Sequence, residues 1–355
     1  MPPSPPPQVL IAAGGTAGHV LPALAVAESL QSRGASVTLA GRPDSVEQRS
    51  ARSAGLEFDA FRVEGLPRGV SFRLAGALAR DLTAPAACLR ILRRRRPDAV
   101  LGAGGYVGGP MVLAAGLLRV PAALLEADAE LGLANRLAAP FAKRVFCAFP
   151  LEGREGSKYR VVGRPIPARS RMPHGAEARA LFGLPPSGPA VLVFGGSLGA
   201  RALNLAAFAA FAQSGPAILH LAGERDLPEL ARRPHRDDYR LLAFTDTFGA
   251  ALAAADLVVA RAGGSVWEVA AAGKPTLLVP YPHATADHQA RNAEYFAERG
   301  GAVVVPETEL DLERQVGELL GDPERLAAMR ESMLALAKPD AADVVAEELI
   351  ALAGA

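Results

Sequence analysis

The sequence predicts an α/β chain of two Rossmann-like halves, each a parallel sheet covered by helices. Three observations predict it. Short apolar runs alternate with helical patterns along most of the chain, the order expected of parallel strands joined by helical crossovers. Two glycine-rich loops of one kind lie 181 residues apart, Gly14-Gly15-Thr16-Ala17-Gly18 after VLIAA and Gly195-Gly196-Ser197-Leu198-Gly199 after VLVF, and each opens a helical pattern. At 355 residues the chain has room for two domains of ~100–200 residues each.

Residues 1–7, MPPSPPP, carry too few hydrophobes to pack and read as an extended tail. Val9 to Ala12 is a strand ending in glycines. A helical pattern through Leu21, Leu24, Ala25 and Leu30 follows, stops at Gly34, and leads into the strand-like run Ser36 to Ala40. Similar runs recur at 99–102, 122–125, 144–148, from 190 through 218, and at 257–260, 276–280 and 302–305. From Gly163 to Gly188 five prolines, with Pro189 just beyond, surround a short helical segment, which marks a boundary. The expected organisation is therefore a first domain over 8–163, a second over 164–338, and a last helix over 339–355 that packs back on the first half.

Composition narrows the function. Lysine plus arginine number 38 against 37 acids, so no global field would hold a nucleic acid. Two cysteines, Cys88 and Cys147, cannot build a disulfide framework or a four-thiolate zinc site, which fits a reducing compartment. The N-terminus lacks the pattern of a secretory signal, and the longest apolar region is broken by Arg119 and two prolines, so no membrane span is expected.

A strand that ends in glycines and feeds a helix aims backbone N–H groups and the positive end of the helix dipole into a crevice, a place suited to phosphate. One such loop alone could equally be a tight turn. Two facing loops would frame an interdomain cleft. A nicotinamide-dependent enzyme normally carries Asp or Glu at the end of its second strand, where this chain has Gly41-Arg42. GGTAGH does not satisfy G-x-G-x-x-G, and no segment satisfies the triphosphatase loop G-x-x-x-x-G-K-[ST]. A third loop, Gly102 to Pro110, surrounds Tyr106 with glycines and would let a bulky substrate approach the backbone, with Pro110 in the first turn of the next helix; the alternative is a turn with a packed Tyr.

In the second half, Arg261 to Ser265 follows the strand DLVVA. Arg261 could offset charge on a leaving diphosphate, and Glu268 could accept from both hydroxyls of a ribose, although a first-turn carboxylate is also favoured by the dipole alone. Gln289, near the start of a later helix, can both donate and accept, as a sugar requires. There is no Asp-x-Asp and no histidine–carboxylate cluster with ligand spacing, so neither a metal site nor a cofactor is expected.

GGTAGHVLPALAVAESL, GAGGYVGGP, EADAELGLANR, GGSLGARALN and RAGGSVWEVAAAGKPTLLVPYPHATADHQARNA, in this order, resemble the MurG family of bacterial peptidoglycan glycosyltransferases, from about Val9 to the C-terminus. The resemblance implies the GT-B architecture and inverting transfer of N-acetylglucosamine from UDP-N-acetylglucosamine to an undecaprenyl-diphosphate-linked muramyl-pentapeptide. It implies an acceptor-side first domain and a UDP-sugar-binding second domain. By resemblance, Thr16, Ala17 and Gly18 lie by the donor sugar and diphosphate. Ser197 meets the diphosphate, Thr245 the uracil, Glu268 the ribose and Gln289 the sugar hydroxyls. Gly264 and Ser265 join this donor set with Arg261, in a stretch one residue shorter than the family form. Gly14, Gly15, Gly104, Gly105, Tyr106 and Glu126 fall on the acceptor side. Two departures concern the donor side. Glu126-Ala127-Asp128 stands where the family commonly has Glu-Gln-Asn, which turns an amide donor into the acceptor Asp128, and in Gly163-Arg164-Pro165-Ile166-Pro167 the family arginine sits three positions earlier, as Arg164.

Inverting transfer needs a base for the muramyl hydroxyl. His19, at a helix start where the dipole favours neutral imidazole, is the first candidate, with Glu126 or Asp128 as the other. A lipid acceptor places the protein peripherally at the cytoplasmic face of the plasma membrane. Eight arginines against one acid, Asp81, between Arg68 and Arg96, with leucines at helical spacing, would suit anionic headgroups; a basic surface helix with leucines facing the core is the plainer alternative. The competing functions are another GT-B enzyme such as a UDP-N-acetylglucosamine 2-epimerase, a non-catalytic nucleotide-sugar-binding regulator, and an NADP enzyme using Arg42.

Overall fold

The computed structural model describes residues 5–15, 17–63, 83–170, 175–196, 199–284 and 287–354. They divide into two compact units, one of Met1–Pro167 with Pro339–Ala355 and one of Ala168–Lys338.

The first unit runs β1 (Gln8–Ala12), α1 (Ala17–Ser32), β2 (Ser36–Gly41), α2 (Val46–Ser53), β3 (Glu57–Ala60), α3 (Thr83–Arg95), β4 (Ala99–Gly102), α4 (Gly105–Leu117), β5 (Ala122–Glu126), α5 (Leu133–Ala138), β6 (Arg144–Cys147) and β7 (Tyr159–Val161). Its seven strands are parallel in the order β3-β2-β1-β4-β5-β6-β7. Strand alternation assigns β1 to both faces: Val9, Ile11 and Ala13 join the core under α1, while Leu10 and Ala12 join the core under α3 and α4. With both faces covered, β1 is apolar almost throughout, and for that reason its sequence shows no alternation.

The second unit runs α6 (Gly175–Leu181), β8 (Ala190–Phe194), α7 (Arg201–Phe211), β9 (Ala217–Leu221), α8 (Leu227–Leu230), β10 (Tyr239–Leu242), α9 (Phe248–Ala254), β11 (Leu257–Ala260), α10 (Val266–Ala271), β12 (Thr276–Leu278), α11 (His288–Ala297), β13 (Ala302–Val304), α12 (Leu312–Leu320) and α13 (Pro323–Leu336). Its six strands are parallel in the order β10-β9-β8-β11-β12-β13.

The last helix, α14 (Ala341–Ala353), belongs to the first unit. It buries Val345, Ala346 and Leu349 among Val20, Ala23, Ala27 and Leu30 of α1, at ~1.5–3 kcal/mol for each fully buried Val or Leu. Ser29 Oγ donates to Asp343 at 2.7 Å, and Arg33 pairs with Asp343 and Glu347, each at 3.0 Å.

Two local expectations are corrected. Pro110 lies inside α4, beyond its first turn, because the helix already begins at Gly105; the third glycine segment is mostly helix, with only 103–104 as loop. The basic stretch is also less uniform than its composition. Its residues 68–82, with the apolar side chains Phe72, Leu74, Leu78 and Leu82, fall outside the described residues. Of its described part, Arg94 and Arg95 turn onto β3 and donate to the buried carboxylate of Asp59 at 2.6 and 2.8 Å, while Arg95 also pairs with Glu57. Burial would raise the Asp59 carboxyl, but the two guanidinium groups outweigh it and hold it below its usual value.

Candidate active site

Both sheets reverse their winding at one place, between β1 and β4 in the first unit and between β8 and β11 in the second. Chain leaving adjacent strands there departs toward opposite faces, and ligands of open α/β sheets bind in the resulting crevice at the carboxyl ends. The glycine segments follow these four strands.

In the first unit the β1 and β4 loops interlock. A Cβ on Gly105 would stand 2.5 Å from the Gly14 carbonyl oxygen, and one on Gly104 would stand 2.6 Å from His19 Nδ1. Both glycines also hold positive φ, 83° at Gly104 and 67° at Gly105, where a side chain is strained whatever the space. The glycines therefore allow His19, in the first turn of α1, to pack directly on the β4 loop. Tyr106 closes the group, its ring edge 3.6 Å from a Cβ position on Gly15. Gly18 accepts from the Arg164 guanidinium, which is buried and ties the chain leaving β7 to the start of α1. The structure thus puts Arg164 beside Gly18 of the first-unit loop, itself a residue expected by the donor sugar and diphosphate. Thr16 lies outside the described residues, and Ala17 is the first residue of α1.

Glu126 ends β5 and is almost fully enclosed. Its Oε1 accepts from the N–H groups of Ala127 at 3.0 Å and Asp128 at 3.3 Å, and its Oε2 from Gly132 N–H and Asn135 Nδ2, both at 2.9 Å. Burial pushes its carboxyl up to about 7 despite these donors, which pull the other way. With both oxygens engaged inside the loop, Glu126 is a brace for residues 127–135, and its expected role as a base is not supported by this geometry. Asp128 is half-buried on the braced loop.

In the second unit the β8 loop continues through Gly195 and Gly196 to Gly199 before α7; Ser197 lies outside the described residues. The β11 loop, Arg261 to Ser265 with Gly264, leads into α10, on which Glu268 is buried and accepts from Ser170 Oγ at 2.7 Å. Gln289 on α11 accepts the Tyr281 N–H at 2.9 Å, and Asn292 Nδ2 donates to the Ala262 carbonyl at 3.1 Å, so α11 is fastened to the loops after β12 and β11. Thr245 Oγ1 accepts the Thr247 N–H at 3.1 Å and shapes the turn before α9.

Arg261 differs from expectation. Its Nη1 donates to the carbonyls of Val279 and Pro280 at 3.2 and 3.1 Å, Nη2 pairs with Glu307, and 7% of the side chain is exposed. A guanidinium spent in this way fixes the β12 loop instead of meeting a diphosphate itself.

One group escaped the sequence reasoning. Glu47 in the first turn of α2 has no exposure and lies under the β1 loop, 2.7 Å from a Cβ position on Gly14. The Ser45 cap that starts α2 was a legible signal of the helix, but nothing in the sequence said that its acid points inward. Among the described residues no group of three or more His, Cys, Asp or Glu could hold a metal ion.

Residues 9–147 match the glycosyltransferase family 28 N-terminal domain, and residues 190–345 match the glycosyltransferase family 28 C-terminal domain. The chain belongs to glycosyltransferase family 28. Within it the chain is similar to proteins named UDP-N-acetylglucosamine--N-acetylmuramyl-(pentapeptide) pyrophosphoryl-undecaprenol N-acetylglucosamine transferase. That of Rubrobacter xylanophilus is 40% identical over 332 residues, 92% of this chain and 98% of the relative. That of Halorhodospira halophila is 42% identical over 349 residues, 95% and 96% of the two chains. The crystal structure of Acinetobacter baumannii MurG superposes with a TM-score of 0.77 at 29% identity, covering 98% of this chain and all of that one. A Neisseria meningitidis UDP-GlcNAc 2-epimerase, at 14% identity and a TM-score of 0.67, shares the fold alone.

Proposed function

We propose that this glycosyltransferase moves N-acetylglucosamine from UDP-N-acetylglucosamine to the muramyl 4-hydroxyl of the undecaprenyl-diphosphate-linked muramyl-pentapeptide, the lipid I to lipid II step of peptidoglycan synthesis. The observation that carries the reading is identity of 40–42% with transferases of that name across more than nine-tenths of both chains.

The second unit takes the donor. Amides of the Gly195–Gly199 and Arg261–Ser265 loops meet the diphosphate, Glu268 accepts from the ribose hydroxyls, Gln289 keeps its amide donor for the sugar, and Thr245 borders the uracil. The first unit takes the acceptor on Gly14, Gly15, Gly104, Gly105 and Tyr106. Thr16, Ala17 and Gly18 lie by the donor sugar and diphosphate, and Asp128 on the loop braced by Glu126 serves the donor side. His19 removes the proton of the muramyl hydroxyl as that oxygen attacks C1. The C1–O bond to UDP breaks, and the departing diphosphate takes up the negative charge. Backbone amides and helix dipoles supply the compensating field, so turnover is expected to persist in EDTA.

The membrane reading rests on an apolar surface of the first unit. Leu117 at the end of α4, Leu133 and Leu137 on α5, and Phe141 are 67, 43, 54 and 45% exposed, with exposed Arg119, Arg136 and Lys143 nearby. Apolar side chains rimmed by cations suit peripheral binding to anionic lipid at the cytoplasmic face. Among the described residues no helix is long and apolar enough to cross a membrane.

Steady-state kinetics with UDP-N-acetylglucosamine and a short-chain acceptor analogue test the assignment of roles. Glu268→Gln should raise the donor KM about tenfold or more with little change in the acceptor KM, whereas His19→Ala should lower kcat by ~10² or more. Equal, small effects of both would contradict the assignment.

A further inference from the structure

Three loops at the carboxyl edge of the first sheet meet through a pair of side chains that no role above uses. Glu47 is fully enclosed, and its position is over-determined. The Ser45 hydroxyl caps α2 and donates to the Arg42 carbonyl at 2.6 Å, which folds the β2 loop back on itself. Glu47 Oε1 then accepts the Arg42 N–H at 3.2 Å and lies 3.5 Å from Arg42 Nε. Gly14 and Gly41 leave room for this side chain, since a Cβ on Gly14 would stand 2.7 Å from Oε1 and one on Gly41 2.6 Å from the Cγ methylene. Its second oxygen, Oε2, has no hydrogen-bond partner among the described residues, a costly state for a buried acid unless a neighbouring cation offsets it. Arg42 is that cation. Its Nε is buried and forms an ion pair with Glu47 Oε1 at 3.5 Å without a hydrogen bond, while 38% of the side chain stays exposed and the guanidinium lies 5.5 Å from the centre of the Tyr106 ring.

A guanidinium anchored on one edge by an acid and stacked near an aromatic face keeps its remaining donors in fixed directions, the arrangement that suits bidentate recognition of phosphate. It stands next to the Gly14-Gly15 and Gly104-Gly105 backbone through Tyr106, which contacts both loops. We propose that Arg42 is a positioning residue for the acceptor, binding a phosphate of its diphosphate, and that Glu47 holds Arg42 in place for that contact. The proposal rests on the acceptor-side reading of the first unit. It gives the carboxyl end of β2, which in dinucleotide-binding folds holds a ribose through an acid, an opposite use: the acid is buried beneath and a cation is presented.

The test is initial-rate kinetics on the full chain with the acceptor analogue and UDP-N-acetylglucosamine, with inorganic pyrophosphate as a probe inhibitor. Arg42→Gln should raise the acceptor KM about tenfold, leave the donor KM within twofold, and weaken pyrophosphate inhibition against acceptor in parallel. Arg42→Lys, a point charge without the fork, should fall between. Glu47→Gln should move the acceptor KM in the same direction; if it melts well below the wild type, the Arg42 pair alone decides. An acceptor KM within twofold of wild type in Arg42→Gln overturns the proposal. A raised acceptor KM with unchanged pyrophosphate inhibition overturns the phosphate assignment and points to a peptide carboxylate. His19→Ala separates the two levels: if it abolishes turnover while Arg42→Gln changes nothing, the acceptor-side reading stands and only Arg42 is lost.

Discussion

The imidazole of His19 occupies the space in which Gly104 would carry a side chain: a Cβ there would stand 2.6 Å from Nδ1. The β4 loop therefore sets the position of the proposed base, and a single methyl group should move it. Gly104→Ala is expected to lower kcat by tenfold or more with little change in the donor KM, and to destabilise the first unit by about 1–3 kcal/mol because φ is 83° there. Wild-type kcat in a folded Gly104→Ala protein would show that His19 need not sit where it does.

A fully enclosed network in the second unit sets a pH limit on stability. His220 Nδ1 lies 2.7 Å from the Tyr239 hydroxyl and Nε2 lies 3.0 Å from Asn204 Oδ1. Asn204 Nδ2 is spent on the Ala222 carbonyl and Asp226, so Oδ1 must accept, Nε2 carries the proton, and Nδ1 accepts from Tyr239. Burial pushes this imidazole down to about 4, against the pull of Asp226. With a depressed folded-state value, the unfolded chain binds the extra proton first. Stability is complete above ~6.5 and is lost as pH falls from there toward 4, by roughly 3 kcal/mol. Trp267, the sole tryptophan, is buried in this unit and reports its unfolding. Denaturant titrations from pH 7 to 4 should show the loss in the wild type and a flatter profile in His220→Asn; parallel profiles would remove His220 as the cause.

The exposed apolar surface gives a separate test of membrane binding. Replacing Leu137 and Phe141 by Ser should reduce sedimentation with anionic vesicles by tenfold or more while the melting temperature stays near that of the wild type, since both side chains are about half exposed. Unchanged sedimentation would move the contact elsewhere on the chain.

The central strands were legible because both faces of each sheet are covered. β1, β4, β8 and β11 are uninterrupted apolar runs punctuated by glycine, and such runs have few other readings. The edge strands β3 (EFDA), β7 (YRV) and β10 (YRLL) were not, because they are short, partly exposed and polar, and their sequences show no period. The glycines of the site could be read for the same reason as the strands, being required by close backbone approach. The charged residues could not. Arg261 and Glu126 have the right chemistry for substrate contacts, yet their partners, Glu307 and Asn135, come from later parts of the chain, and only the fold shows that their donors and acceptors are already spent. Glu47 failed in the opposite sense, as an acid in the first turn of a short polar helix that by pattern belongs in solvent.

Nuclear magnetic resonance of the product formed from UDP-N-acetylglucosamine and the lipid acceptor analogue tests the central claim most directly. The account predicts N-acetylglucosamine joined through a β linkage to the muramyl 4-oxygen, with stoichiometric UDP. An α linkage, or release of a 2-epimerised sugar with the acceptor untouched, would contradict it.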